Sequence, residues 1–260
     1  MYEARALSVS LGGRTILHAI NIAVPPAHAT VIIGPNGAGK STLLRALAGE
    51  RQRTAGTIRI GGTDIARLKP RSLAALRAVL TQSVAMTFPF PVDDLVRLGV
   101  PPTMTRAEAD PHVARAMKAV DLTPDFSARP ITQLSGGEQQ RVHLARVLTQ
   151  LWSYANGNPP GYLLLDEPTA HLDPAHQAQI VRLARLHVRD GGGVLAVLHD
   201  INLASAFADN VMVHDAGRIV AQGAPDDVLR PEVLEVTYGV GFRVREEAGN
   251  RWILQDFAAA

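Results

Sequence analysis

The sequence predicts an α/β fold, and three short segments are the basis of that prediction. The apolar run "TVIIG" from Thr30 leads into a glycine-rich loop, and the "TLLRALAGE" that follows has helical spacing. Two further apolar runs, "GYLLLDEP" from Gly161 and "GGGVLAVLHD" from Gly191, are separated by the helix-like "HQAQIVRLARLHVRD". Continuous apolar runs bounded by turn residues are typical of parallel strands that are buried on both faces. We therefore expect a parallel sheet with helices between its strands.

The remaining elements follow along the chain. The segment from Ala4 to Ile60 is rich in β-branched alternation and is expected to be partly antiparallel. Residues 86–151 are expected to form helices, one of which begins at a capping box of Thr105 and Glu108. A turn-rich loop is expected from Ser153, and two strands around an Ala-Gly-Asn turn are expected near the C-terminus.

These elements suit one domain over residues 1–260 with a helical insertion. Residues 1–85 and 152–260 would form the core, with its β-subdomain, and residues 86–151 would form the helical subdomain.

Composition excludes several other classes of protein. Of the 260 residues, 47% are hydrophobic and 19% are charged, which excludes a disordered chain. The net charge of +2, from 26 basic and 24 acidic residues, is too balanced to indicate a nucleic-acid partner. The absence of cysteine excludes disulfides and thiolate metal sites and fits a reducing cytoplasm. We find no signal peptide and no apolar run near the ~18–20 residues of a membrane span, so we expect any link to a membrane to run through a partner.

A phosphate-binding loop is the most specific motif of the chain. "GPNGAGKS" matches G-x-x-x-x-G-K-[ST], and it stands between the predicted strand and helix that such a loop requires. Its backbone N–H groups would surround a β-phosphate, Lys40 would place a positive charge at the β- and γ-phosphates, and the Ser41 hydroxyl would bind Mg²⁺. The candidates for nucleotide binding are Gly34, Pro35, Asn36, Gly37, Ala38, Gly39, Lys40, Ser41 and Thr42.

Polar side chains follow the other predicted strands. Asp166 ends an apolar strand, where a carboxylate could hold Mg²⁺, and Glu167 is a candidate base for polarising an attacking water. His199 ends another apolar strand. Ligands of doubly wound sheets lie at the carboxyl ends of the strands, so His199 could reach a γ-phosphate. Gln82 ends a further apolar stretch, and its position alone leaves a functional role and a surface role equally open.

A second glycine-containing helix start lies in "LSGGEQQR". Ser135, Gly136 and Gly137 offer hydrogen-bond donors without bulk at a helix N-terminus, which carries about half a positive charge. No lysine accompanies them. A solvated helix cap would explain Ser135, but it would not explain two consecutive glycines. We therefore predict a second anion-binding position here.

Together these segments resemble the nucleotide-binding subunits of ATP-binding-cassette (ABC) transporters, in the family's order and over essentially the whole chain. "GPNGAGKST" is similar to the Walker A motif, "LLLDEP" to Walker B and "LSGGEQQR" to the signature sequence. The resemblance assigns Gln82 to the Q-loop, as a further Mg²⁺ ligand, Asp173 to the D-loop and His199 to the switch histidine. It implies a P-loop NTPase with a RecA-like core, an antiparallel β-subdomain and a helical subdomain that carries the signature.

The resemblance also implies how the two anion positions are used. In this family two cassettes pack head to tail, and each ATP lies between the P-loop of one copy and the signature of the other. The signature would thus serve the ATP of a second copy, for which that copy's Lys40 already supplies the cation. The implied cofactors are ATP and Mg²⁺, the implied partners include two membrane permease subunits, and the implied location is the cytoplasmic face of the inner membrane.

Within the family, "TQSVAMTFPFPVDDLVRLG" resembles the haem-import ATPases, which are close to those for ferric siderophores and cobalamin. This implies ATP hydrolysis that energises haem uptake, with a periplasmic haem-binding protein as an indirect partner and a siderophore or cobalamin importer as the alternative. A soluble ABC ATPase of DNA repair or translation is disfavoured because the chain has no room for long coiled coils or a second cassette. A non-catalytic regulator is disfavoured because Lys40, Asp166, Glu167 and His199 are all in place.

Two positions depart from the family pattern. Leu11 stands where the family usually stacks an aromatic side chain on adenine, and Tyr2 is the only aromatic residue before it. The D-loop reads "AHLD", in which His171 is interpreted as incidental.

Two of the six phenylalanines, Phe88 and Phe90, lie in "AMTFPFPV" just after Gln82. They would either fill the joint between the core and the helical subdomain or form an apolar rim that receives a helix of the membrane subunit. The sequence leaves both interpretations open.

Overall fold

The structure, a computed structural model, describes residues 1–81, 86–155, 160–169, 172–247 and 250–256. Its strands are β1 (Tyr2–Leu11), β2 (Arg14–Val24), β3 (Ala29–Ile33), β4 (Ala55–Ile60), β5 (Thr63–Asp64), β6 (Arg77–Leu80), β7 (Tyr162–Asp166), β8 (Gly193–Val197), β9 (Asn210–Asp215), β10 (Arg218–Gly223), β11 (Gly241–Glu247) and β12 (Asn250–Asp256). Its α-helices are α1 (Lys40–Leu47), α2 (Pro70–Leu76), α3 (Val92–Arg97), α4 (Arg106–Ala119), α5 (Gly136–Ala155), α6 (Pro174–Arg189), α7 (Ile201–Phe207), α8 (Pro225–Val228) and α9 (Pro231–Tyr238).

The chain forms two compact units. Met1–Leu68 with Gly193–Ala260 form the first unit, and Lys69–Gly192 form the second. The helical subdomain that the sequence predicts for residues 86–151 lies inside the second unit. The second unit is wider than that segment because it also includes β6, β7 and α6.

An antiparallel sheet with the strand order β2-β1-β4-β5 forms part of the first unit. β1 pairs with β2 on one side and β4 on the other, so that Tyr2 lies opposite both Val24 and Ile60. Most inward-facing residues of β1 are buried while the others are at least partly exposed, as expected for a sheet with one covered face. The antiparallel character predicted for Ala4 to Ile60 is confirmed.

Parallel strands form the other sheet of the first unit. β3 lies between β8 and β9 and is parallel to both, with Val31 opposite Ala196 on one side and Val211 on the other. β10 then pairs antiparallel with β9. All five residues of β3 and all five of β8 are buried, as predicted from their continuous apolar runs. This sheet positions the phosphate loop, because β3 ends at Ile33, directly before it.

The second unit contains a parallel strand pair and most of the long helices. β6 pairs with β7 so that Val79 lies opposite Leu164. The predicted capping box at the start of α4 is present: the Thr105 N–H donates to Glu108 Oε2 at 2.7 Å, and the Glu108 N–H donates to Thr105 Oγ1 at 3.4 Å. Helix α5 is 20 residues long and carries the signature segment at its first turn.

Two predicted features near the ends of elements have different outcomes. The predicted C-terminal hairpin is confirmed, since β11 and β12 pair antiparallel with Glu247 opposite Asn250. The loop predicted from Ser153 is wrong for its first three residues, because α5 continues to Ala155. Ser153 is 4% exposed, and its hydroxyl donates to the Gln150 carbonyl at 3.2 Å, so the buried hydroxyl has a partner within α5 and burial outweighs the turn tendency of this sequence.

No helix in the described part of the chain is both long enough and apolar enough to span a membrane.

Candidate functional site

The phosphate loop joins β3 to α1 along a tightly constrained path. Gly34 has a φ of 149°, and a Cβ added there would lie 1.9 Å from the His214 carbonyl oxygen on β9. Gly39, with a φ of 105°, precedes Lys40 at the start of α1 in the left-handed conformation. Only glycine can occupy position 34, because any side chain there would collide with the backbone of His214. The start of the loop is therefore packed directly against the neighbouring strand β9.

Lys40 is the cation of this loop. Its side chain is 5% exposed, and Nζ donates to the carbonyls of Gly34 at 2.8 Å and Pro35 at 2.9 Å. The ammonium thus lies within the curve of the loop, at the N-terminus of a helix with no acidic residue in its first turn. The helix dipole and the ammonium both favour a bound anion, so the loop has the chemistry to hold a nucleotide phosphate.

His199 lies at the same edge of the first unit's parallel sheet. It follows β8, where Val197 pairs with Ile32 and the Leu198 N–H donates to the Ile32 carbonyl at 3.1 Å. The two strands are parallel, so His199 and the phosphate loop both leave the sheet at its carboxyl edge. His199 is exposed there, and the following residue, Asp200, caps α7.

The two acidic candidates end β7 in the second unit. Asp166 is 0% exposed. A buried carboxylate is costly unless it is paired or binds a metal, and its oxygen atoms are the ligands that Mg²⁺ prefers. Glu167 is half-buried and has a φ of 49°, a left-handed conformation that costs a non-glycine residue about 1–2 kcal/mol. Backbone strain of this kind collects at functional sites.

The signature segment forms the start of α5, as predicted. The Ser135 N–H and hydroxyl donate to Glu138 Oε2 at 2.7 and 2.8 Å, and the Glu138 N–H donates back to Ser135 Oγ at 3.3 Å. These hydrogen bonds lower the pKa of Glu138, because they favour its ionised form. A Cβ added to Gly136 would meet no atom within 4 Å, so this turn presents bare backbone to solvent.

Asp173 caps α6. It accepts hydrogen bonds from the His176 N–H at 3.0 Å and from His176 Nδ1 at 2.6 Å. The backbone hydrogen bond from His176 is the main cause of its lowered pKa. The start of α5 lies close to the residue that precedes Asp173, because a Cβ added to Gly137 would be 3.7 Å from Leu172 Cδ2.

Four other residues that the sequence singled out lie either on β1 or outside the described part of the chain. Gln82 and His171 lie outside the described residues. Leu11, the position assigned to adenine stacking, is half-buried at the end of β1. Tyr2 is 1% exposed and its hydroxyl donates to the Leu47 carbonyl, so its ring is held in the core of the first unit.

The structure thus brings the candidates together in two sets. The phosphate loop and His199 share an edge of the first unit, and the second unit holds Asp166, Glu167, the signature and Asp173. Within the described part of the chain, no group of three or more His, Cys, Asp or Glu side chains is placed to hold a metal ion.

Two residues of this region were missed by the sequence analysis. Glu138 could have been found, because a Ser followed three residues later by Glu is a capping-box pattern. His214 belongs to no motif of the sequence, but it is 0% exposed and its ring lies beside the loop: a Cβ added to Gly39 would lie 3.2 Å from His214 Cε1. Burial and the charge of Lys40 lower the pKa of His214 to about 4, so the ring beside the loop is neutral.

Comparison with known proteins identifies the family. The family model described as ABC transporter matches residues 17–170. The chain is 50% identical over 245 residues to the hemin import ATP-binding protein HmuV of Rhizobium meliloti (strain 1021), covering 94% of this chain and 93% of that protein. It is 43% identical over 259 residues to the protein of the same name from Rhodopseudomonas palustris (strain HaA2), with coverage of 99% and 98%.

A solved structure described as the ATP binding subunit of an ABC transporter superposes with a TM-score of 0.77 at 22% identity, covering 88% of this chain and 91% of that one. At this identity the likeness shows the fold, which is the predicted P-loop NTPase fold with an antiparallel β-subdomain. The family model covers more than half of the chain, and the sequence relatives cover nearly all of it. The chain belongs to the ABC transporter family.

Proposed function

We propose that this chain is the ATP-hydrolysing subunit of an ABC importer that energises haem uptake. The observation that carries the proposal is the 50% identity, over 94% of the chain, to a hemin import ATP-binding protein. The buried Lys40 inside the glycine loop supports the ATPase part independently, because it supplies the cation that a triphosphate requires.

The residues of the first unit would bind and orient the nucleotide. The N–H groups of the glycine loop and Lys40 would hold the β- and γ-phosphates, and the Ser41 hydroxyl would be a Mg²⁺ ligand. Exposed His199, at the same sheet edge as the loop, is suited to contact the γ-phosphate. When bound, Mg²⁺ would neutralise part of the phosphate charge.

The residues of the second unit would complete the chemistry. Buried Asp166 is the second proposed Mg²⁺ ligand, and Gln82 is proposed as a third by the family resemblance. Glu167 would orient the attacking water and accept its proton. Asp173 would contact the second copy through the D-loop.

We further propose that two copies pack head to tail, so that Ser135, Gly136 and Gly137 contact the γ-phosphate of the ATP held by the partner. The bare backbone at Gly136 would allow that close approach. Glu138 accepts hydrogen bonds from Ser135, which keeps the serine at the helix start.

The assembled importer would contain two membrane permease subunits and receive haem from a periplasmic binding protein. This chain would lie on the cytoplasmic face of the inner membrane and would not itself contact haem. The exposed pair Phe88 and Phe90 is the proposed docking rim for the permease. The two side chains are 65% and 39% exposed with ring centroids 4.8 Å apart, which disfavours the alternative that both fill a buried joint.

Uptake measurements test this proposal. Cells that lack the protein should lose uptake of haem but retain uptake of cobalamin and of ferric siderophores, and the wild-type chain should restore it. The Lys40→Ala chain, produced at the same level, is the control and should not restore uptake. Selective loss of siderophore or cobalamin uptake would instead assign the importer to that substrate.

A further inference from the structure

We propose that Gln140 is a positioning residue that couples the signature turn of each chain to the catalytic glutamate, Glu167, of the same chain. The inference rests on the function proposed above. It assigns a role to a side chain that lies outside the phosphate, metal and water contacts already described.

The first observation is a hydrogen bond between two distant parts of the second unit. Gln140 Nε2 donates to the Pro168 carbonyl at 2.5 Å, across 28 positions of sequence. Proline has no N–H, so its carbonyl is the only backbone group through which Pro168 can be held by a hydrogen bond. Gln140 therefore anchors the one residue that directly follows Glu167.

The second observation is the backbone of Glu167. Its φ of 49° is unfavourable for a residue with a side chain, and a residue that precedes proline intrinsically prefers extended backbone. Such a conformation persists only where surrounding contacts determine it. The bond from Gln140 to Pro168 is a contact of this kind, and the direction of the Glu167 carboxylate depends on the conformation that it helps to hold.

The third observation is the position of Gln140 on α5. It lies four residues after Gly136, so the two share one face of the helix, one turn apart. A phosphate that draws on the N–H groups at Gly136 acts on the first turn of the helix whose second turn carries Gln140. Engagement of the partner's ATP at the signature would thus be transmitted to Pro168 and Glu167 through a single side chain.

Helix α6 also donates hydrogen bonds to residues that follow Glu167. Gln177 Nε2 donates to the Thr169 carbonyl at 3.3 Å and to the Leu172 carbonyl at 3.0 Å. With Gln140, these bonds fix Pro168, Thr169 and Leu172 between two helices. The residues that follow Glu167 therefore accept hydrogen bonds from both the signature helix and the helix after the D-loop.

The test is steady-state ATP hydrolysis by the full-length chain with Mg-ATP. Gln140→Leu removes the donor at similar size, and we expect kcat to fall by about tenfold or more, since small displacements of a reacting group have large effects. KM and nucleotide affinity should stay unchanged because the Gln140 amide is engaged with the Pro168 carbonyl and is not among the residues proposed to bind phosphate. Gln140→Glu, which keeps the shape but cannot donate to a carbonyl when ionised, should show the same pattern.

A double-mutant cycle asks whether Gln140 acts through Glu167. In the Glu167→Gln background, Gln140→Leu should cause no further loss of kcat, because the group that it positions is already gone. An additive loss would overturn the proposal.

Gln150→Leu is the matched control on the same helix. Gln150 also bonds backbone carbonyls, those of Ala74 at 2.8 Å and Arg77 at 2.9 Å. Its replacement should lower the stability of the chain and leave kcat unchanged. An equal loss of kcat in both variants, or unfolding of both Gln140 variants in circular dichroism, would assign Gln140 a structural role and overturn the proposal.

Lys40→Ala and Glu167→Gln, measured in parallel, separate this inference from the proposed function. Normal turnover in both would reject the ATPase mechanism itself. Loss of turnover in both, with normal kcat in Gln140→Leu, would reject only the coupling through Gln140.

Discussion

Glu167 follows a fully buried strand in a strained, left-handed conformation. Such a conformation persists only where the surrounding structure determines it, and a base beside a nucleophilic water is the role that the position of Glu167 suits. Asp166, one residue earlier, is completely buried. Two adjacent carboxylates thus lie in different environments, which is how one strand end can supply both a metal ligand and a base.

We predict that Glu167→Gln retains ATP binding and loses hydrolysis by a factor of about 10²–10⁴, the usual contribution of a positioned base. The amide has the size of the carboxylate but cannot accept the proton of water. Because ATP is then bound and not consumed, it should hold two chains together. Phosphate release and light scattering with Mg-ATP measure the two effects, and monomers with unchanged turnover would refute this role.

His214 gives a prediction about pH. Its ring is fully buried, and neither ring nitrogen has a hydrogen-bond partner within the described part of the chain. Burial and Lys40 lower the pKa of His214 to about 4, from 6.5, while Asp215 opposes the shift. Between these two values the unfolded chain binds a proton that the folded chain does not. The contribution of the neutral His214 ring to the free energy of unfolding is therefore fully present above about pH 6.5, and it is lost as the pH falls towards 4.

His214→Phe should remove this titration while keeping a ring of similar shape. We expect the free energy of unfolding to fall less between pH 7 and pH 5 in the variant than in the wild type, with equal or greater stability at pH 7. Urea titrations of the variant and the wild type at pH 7 and pH 5 measure both free energies of unfolding. His143, whose pKa burial also lowers to about 4, contributes a separate slope that both proteins share. Identical pH profiles would contradict the prediction.

At the scale of elements, sequence patterns that span only a few residues correctly predicted a helix start and a hairpin. The capping box of Thr105 and Glu108 and the C-terminal hairpin are set by residues close in sequence, and both are present. The end of α5 was predicted wrongly because its last turn is held by burial of Ser153, a contact that local propensity does not register.

The segment before α3 carries the prediction for docking. Phe88 and Phe90 are exposed, yet their backbone is fixed: the Phe90 N–H donates to the Phe88 carbonyl, and the Ile131 N–H donates to the Phe90 carbonyl, both at 2.9 Å. An apolar pair on a rigid segment is suited to bind a partner without a large ordering cost.

We predict that Phe88→Ala or Phe90→Ala leaves folding and ATP binding intact, and that at least one weakens association with the membrane subunit. An aromatic anchor of an interface contributes about 2 kcal/mol or more, which corresponds to roughly thirtyfold in affinity. Co-purification and permease-stimulated ATPase activity measure the effect. Leu186→Ala, at a side chain 45% exposed on α6, is the control. Normal coupling in both phenylalanine variants would place the docking surface elsewhere.

At the scale of the whole molecule, the phosphate loop and the signature belong to different compact units of one chain. The head-to-tail arrangement that we propose assigns each ATP to the loop of one chain and the signature of its partner. The activity of a mixed pair of chains therefore depends on which lesions fall on the same site.

We predict that a Lys40→Ala chain paired with a Ser135→Arg chain retains one intact site. In the trans arrangement both lesions fall on the same ATP, and the other ATP has a normal loop and a normal signature. Filter binding should detect one ATP per mixed pair, whereas pairs of either variant with itself carry a lesion at every site. Absence of binding in the mixed pair would support a signature that acts within its own chain.

The sequence by itself determined the phosphate loop, the acidic pair at the end of β7, the signature turn and the parallel strands. Each of these is specified by residues within about ten positions, because strand burial, helix starts and glycine turns are local properties. Tertiary structure alone decided the closeness of Gly34 to His214, the left-handed backbone of Glu167 and the bond from Gln140 to Pro168. Those features depend on contacts between segments far apart in sequence, whose approach is set by the packing of the whole unit and not by any local pattern.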